Sequence, residues 1–126
     1  MGKQMAVLME STRKFRVISF GYDPMLMTIR ALLLRKARYK VLNTCSQQAV
    51  LTQLESRAFQ LLIICHTVPA DEQEFLIRSV RTHWPEVRIV CLSPVPALSR
   101  PDRCMAASTA PEFLEDIRRV LPPMAA

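Results

Sequence analysis

Residues 60–69 read QLLIICHTVP, an unbroken apolar run from Leu61 to Cys65 that stops at His66 and Thr67 and, after Val68, meets Pro69. A short run with no polar alternation is the pattern of a strand covered on both faces. Five apolar residues are too few for a helix of ordinary length. The stretch is therefore read as the centre of a parallel sheet. In doubly wound sheets, ligands and chemistry gather just beyond the carboxyl ends of such strands, so Cys65 to Pro69 is where a site is sought.

Upstream, Phe15 to Phe20 (FRVISF) reads as a first strand, turned by Gly21 and Tyr22. Asp23-Pro24 supplies an N-cap followed by proline at the first helical position, and the helix runs to about Ala37. Met25, Leu26, Ile29, Leu32, Leu33 and Ala37 are read as its core face. Met27, Ala31 and Leu34 form a second apolar stripe nearly opposite, flanked by Arg30 and Arg38. A surface helix needs only one buried face, so the second stripe either packs under a loop or the N-terminal tail, or is a partner surface. Lys40 to Asn43 is a second strand, and Ser46 caps a helix to about Arg57 with Val50, Leu51 and Leu54 inward.

Downstream, Asp71 and Glu74 stand in capping-box spacing before a helix carrying Phe75, Leu76, Ile77 and Val80 and ending near His83-Trp84-Pro85. Val87 to Leu92 is a fourth strand. Ser93 to Asp102 (SPVPALSRPD) holds three prolines and no helical period, which marks a loop. Arg103 to Ala106 is a short fifth strand. Thr109 and Glu112 repeat the capping-box spacing with Pro111 in the first turn. The last helix turns Phe113, Leu114, Ile117, Val120 and Leu121 to the core and ends at Pro122-Pro123. Strands alternating with helices predict an α/β doubly wound parallel sheet with right-handed crossovers. The organisation expected is one domain over 15–121 between tails at 1–14 and 122–126.

Composition narrows the class. Half of the 126 residues are hydrophobic and 22% are charged, which suits a globular domain with a real core. No apolar run reaches the length of a membrane span. MGKQMAVLMESTRK lacks a signal-peptide cleavage pattern, and Ala6 stands where myristoylation needs a serine or threonine; a cytoplasmic protein is expected. The net charge of +6 raises nucleic acid as a partner. However, the basic residues are spread along the chain, the nearest cluster being Arg35, Lys36, Arg38 and Lys40. They are not interleaved with stacking aromatics, so nucleic-acid binding is not expected. Cys45, Cys65, Cys91 and Cys104 form no C-x-x-C pair and no zinc spacing, and their default reading is as core thiols.

Four segments in order, RVISF-x-x-DPML, LLII-x-x-x-VP, RIVCLS and PEFLEDIRRVL, resemble the receiver domains of bacterial two-component response regulators. The resemblance spans residues 15 to 121. It implies a flavodoxin-like sheet of five strands in the order 2-1-3-4-5, with the family's helix between strands four and five degraded here to the Pro-rich loop. Members of that family hold magnesium on an acidic pair after the first strand. They accept a phosphoryl group from a histidine kinase on an aspartate ending the third strand. A hydroxyl after the fourth strand and a lysine after the fifth steady the phosphate.

Carried onto this sequence, the acidic pair falls on Gly21 and Tyr22, the phosphoacceptor on Cys65, the hydroxyl on Ser93 and the lysine on Ala110. Only Ser93 keeps its residue type. Asp23 matches a variable third acidic position, but its plainer role is the helix cap. Tyr22 is read as a plug in the space a metal would fill. Cys65 and His66, adjacent on a strand, point to opposite faces and make no nucleophile–base pair.

The resemblance therefore implies a non-catalytic regulatory module with no cofactor and no Mg2+, acting through a protein partner or a second copy of itself. Its candidate surfaces are Met27, Ala31 and Leu34, and the edge of the last helix bearing Glu112, Glu115, Asp116, Arg118 and Arg119. With no output domain after Ala126, its effect is expected to pass through a partner in trans. The alternatives are an atypical response regulator in a phosphorelay, or a thiol redox switch, either of them using Cys65.

Overall fold

The computed structural model describes residues 15–92, 103–104 and 110–122. In chain order these form β1 (Arg16–Phe20), α1 (Pro24–Lys36), β2 (Lys40–Thr44), α2 (Gln47–Ser56), β3 (Leu61–Ile64), α3 (Ala70–His83), β4 (Arg88–Cys91), β5 (Arg103–Cys104) and α4 (Ala110–Val120). All strand pairings are parallel, in the order β2-β1-β3-β4 with the two-residue β5 beside β4. Of the fifth strand expected over Arg103 to Ala106, Arg103–Cys104 form β5, and Met105 and Ala106 lie outside the described residues. The Pro-rich segment Ser93 to Asp102, Thr109 and Pro123 lie outside the described residues.

β3 is the buried centre that its apolar run implies, with all four residues inaccessible. Side chains alternate along each strand, so the sheet feeds two cores. On one face Ile18, Phe20, Leu62, Ile64 and Ile89 meet Val50 and Leu54 of α2 and Leu76, Ile77 and Val80 of α3. On the other, Val17, Leu61, Ile63 and Val90 meet Met27 and Leu34 of α1 and Phe113 and Ile117 of α4. Tyr39 lies in this second core and donates its hydroxyl hydrogen to Leu121 O at 2.5 Å, tying the α1–β2 turn to the end of α4.

The expected starts of α1 and α2 form as read. Asp23 Oδ1 accepts from Leu26 N at 3.2 Å and Ser46 Oγ from Ala49 N at 3.1 Å. The capping box at Asp71 and Glu74 does not form. Pro69 is the N-cap of α3 with no side-chain cap bond, and the helix starts one residue before Asp71. Glu74 instead pairs with Arg78 one turn on, at 3.1 Å. Arg38, just past α1, takes a left-handed conformation with φ 75°, a geometry that glycine adopts more cheaply.

The two faces of α1 are the reverse of the sequence reading. Met27, Ala31 and Leu34 are 4%, 1% and 1% exposed, whereas Met25, Ile29 and Leu32 are 74%, 49% and 56% exposed. Leu26, Leu33 and Ala37 are half-buried at the margin. The helix is apolar nearly all round, so its period offers two stripes and does not choose between them. The short Gly21–Asp23 connection sets the helix phase, and Ala31 allows close approach to the sheet. Met27, Ala31 and Leu34 are therefore core residues and not a partner face. Leu34→Ala should cost about 2–5 kcal/mol, whereas Leu32→Ala should change stability by less than about 0.5 kcal/mol. Equilibrium denaturation of the two variants separates the faces.

Candidate functional site at the carboxyl ends of the strands

β1 and β3 end side by side, and the residues just past them are Gly21 and Cys65. Cys65 N donates to Phe20 O at 2.9 Å and Gly21 N to Thr44 O at 3.2 Å, so the ladder runs on through both residues. A Cβ at Gly21 would stand 2.7 Å from Cys65 Cβ, 2.9 Å from its Sγ and 3.2 Å from Met27 Sδ. Gly21 has no positive φ. Its lack of a side chain is a packing requirement, because the Cys65 side chain occupies the space above it.

Cys65 is 1% exposed. Its Sγ lies 3.7 Å from Ser19 Oγ in a buried hydrogen bond in which either atom can donate. Burial pushes the thiol above its ordinary value, while the Ser19 hydroxyl and then the Arg30 guanidinium pull it part of the way back. Arg30 Nη1 is buried without a hydrogen-bond partner among the described residues. A neutral, sealed thiol is a poor nucleophile. His66 is exposed where Cys65 is buried, so the two make no catalytic pair, as the strand geometry implies.

Tyr22 does not plug the space between the strands. Its ring meets Phe20 edge-on at 5.5 Å and is 45% exposed. Its hydroxyl reaches both carboxylate oxygens of Glu72, at 3.0 and 3.1 Å, and its backbone N donates to Thr67 Oγ1 at 2.9 Å. Burial and then the Glu72 carboxylate raise the phenol above its ordinary value. Tyr22 thus latches the β1–α1 turn to α3, because its backbone direction at the strand end aims the side chain outward. Beside it, Gly21, Met27, Thr44 and Cys45 help line a cleft of about 290 Å³ with no charged side chain in its wall.

Of the other expected site residues, Ala110 is the exposed first residue of α4, and Ser93 lies outside the described residues. Asp23 spends Oδ1 on its helix cap. Glu112, Glu115, Arg118 and Arg119 are exposed along α4, with Arg119 bridging Glu115 at 2.8 Å and Asp116 at 3.8 Å. Two residues at the site were missed, Ser19 and Arg30. Each left a signal: one hydroxyl in the apolar strand FRVISF, and one cation between Met27 and Leu34 on the side of α1 that packs inward.

No protein-family model and no curated protein matches the chain. Solved structures do. The signal receiver domain of an HD domain-containing protein from Pseudomonas fluorescens is 18% identical, with TM-score 0.75 over 86% of this chain and 95% of that one. The fold is that of a receiver domain. The chemotaxis response regulator CheY4 of Vibrio cholerae is 15% identical, with TM-score 0.75 over 86% of this chain and 100% of its own. The response regulator TrrA from Thermotoga maritima, solved with magnesium and beryllium fluoride, is 14% identical, with TM-score 0.74 over 85% and 99%. In this receiver-like fold the carboxyl ends of β1 and β3 carry glycine, tyrosine and a buried cysteine.

Gly21→Ala should destabilise the chain by about 1–3 kcal/mol through overpacking. Cys65→Ala should recover only part of that loss, since the Cβ–Cβ approach remains; a denaturation series on the single and double variants reads this. Thiol titration of the native protein should modify exposed Cys45 before buried Cys65 and Cys91. An unfolded Cys65 gives up its proton near pH 9.0 whereas the folded one retains it. The stability this contributes is fully present below that pH and drains away as pH climbs towards the raised folded value. Cys65→Ala should therefore show a shallower alkaline loss than wild type when denaturation midpoints are compared across that range.

Proposed function

We propose that this chain is a receiver-like signalling module that catalyses no reaction and is not switched by phosphorylation at the third strand. It acts by binding a protein partner. The observation that carries this reading is the Gly21–Cys65 contact, in which the Cys65 side chain fills the space that a side chain at position 21 would need. The receiver resemblance puts a metal-binding carboxylate at Gly21 and the phosphoacceptor at Cys65, and these residues do not fit a magnesium ion. Gly21 and Tyr22 offer no carboxylate, and a buried neutral thiol is a poor ligand for a hard cation.

Burial also weighs against the two roles in which Cys65 reacts. A phosphoryl donor or an oxidant must reach the sulfur, and Cys65 is 1% exposed with its proton held by desolvation. A protein partner accords with the fold's neighbours, since TrrA is also solved in complex with the histidine kinase ThkA. The surface offered is the exposed edge of α4 with Glu112, Glu115, Arg118 and Arg119, whose charges of both signs suit a polar interface rim.

Intact mass and sedimentation, each with and without acetyl phosphate and magnesium, test the reading. The expected result is no added mass and no change in assembly. A gain of one phosphoryl group that disappears in Cys65→Ala would overturn it and make the protein a phosphoacceptor of unusual chemistry.

A further inference from the structure

The opposite end of the sheet holds an arrangement that the receiver reading does not use. Arg16 and Lys40 open β1 and β2 and are direct partners in the parallel register. Neighbouring strands lie about 4.8 Å apart with paired side chains on one face, so the register sets two cations side by side. Like charges in such a pair cost stability unless something of opposite charge lies between them. The even-numbered positions of β1 face α2 and α3, as Ile18 and Phe20 do. Arg57, the C-cap of α2, comes to the same place. The three cations line a cleft of about 340 Å³ together with Gln53, Leu42 and Phe59, and no carboxylate lines it. Its size is that of a small-ligand site.

Edge strands often carry lysine to deter pairing with other chains, and that accounts for Lys40. It does not account for Arg16, which lies on an interior strand between β2 and β3, or for Arg57 on a helix end. We propose that this cleft binds an organic phosphate, a phosphate monoester whose dianionic head sits among Arg16, Lys40 and Arg57 and whose apolar body rests on Leu42 and Phe59. Two guanidinium forks suit the oxygens of a phosphate, and the apolar floor favours an ester over the free ion. The site stands apart from Cys65 and from the partner-binding reading, and neither outcome there bears on it.

The test is an amide-shift titration of the full chain at constant ionic strength with phenyl phosphate, inorganic phosphate and phenol. Phenyl phosphate should shift the amides of Lys40 to Leu42 and Arg57 to Phe59 saturably. Inorganic phosphate should move the same amides with affinity about tenfold weaker, and phenol should leave them in place. Arg16→Gln combined with Lys40→Gln should weaken phenyl phosphate at least about tenfold. The same double variant should abolish the rise in melting temperature that phosphate gives over chloride in wild type. Both changes remove a like-charge contact, so the variant is expected to fold, and the wild-type titration decides on its own if it does not. Shifts spread evenly over the other arginines, no saturation, or binding unaffected in the variant would each overturn the proposal and leave a diffuse basic surface.

Discussion

Leu61–Ile64 is hydrogen-bonded to β1 on one side and β4 on the other, and its side chains divide between the two cores. Leu62 and Ile64 pack towards α2 and α3, Leu61 and Ile63 towards α1 and α4. With no water on either face, a polar residue anywhere in these four positions would be left buried without a partner. The helices are placed by that requirement. Each crossover must return over the sheet to cover its share of β3, and the order β2-β1-β3-β4 follows from two pairs of helices doing so on opposite faces.

The placement of elements was legible because the signals were redundant. Asp23-Pro24 and Ser46 are capping signals that needed no tertiary help, and Leu61 to Cys65 admitted one reading. The faces of α1 were not legible, because Met25, Ile29 and Leu32 match the helical period as well as Met27, Ala31 and Leu34 do. What breaks that tie is the phase imposed by a short turn, a three-dimensional fact that no periodicity carries. The Asp71–Glu74 spacing misled for a related reason: a spacing shows that a cap is compatible with the sequence, whereas the chain direction leaving Val68 and Pro69 determines where the helix begins.

The candidate site was half legible. Cys65 and Gly21 were placed at neighbouring strand ends, and the structure brings them together. That a Cβ at Gly21 would stand 2.7 Å from Cys65 Cβ could not be read from the sequence, since it depends on how closely β1 and β3 approach past their last ladder bonds. Tyr22 was assigned to that space by adjacency alone; its side chain leaves in the opposite sense and bonds Glu72. Ser19 and Arg30 act on the thiol from consecutive elements, β1 and α1, that lie well upstream of Cys65 in the chain, and only the packed core sets them beside it.

The Gly21–Cys65 contact also constrains what this backbone can become. The closest approach is to the Cβ of Cys65, an atom that every replacement except glycine retains. Exchanging the sulfur for a carboxylate would leave position 21 as crowded as before, and placing an acid at 21 first would strike the same atom. The two changes obstruct each other in either order. With the strand ends at their present spacing the pair is fixed by geometry, and two facing carboxylates at these positions would require the strand ends themselves to move apart.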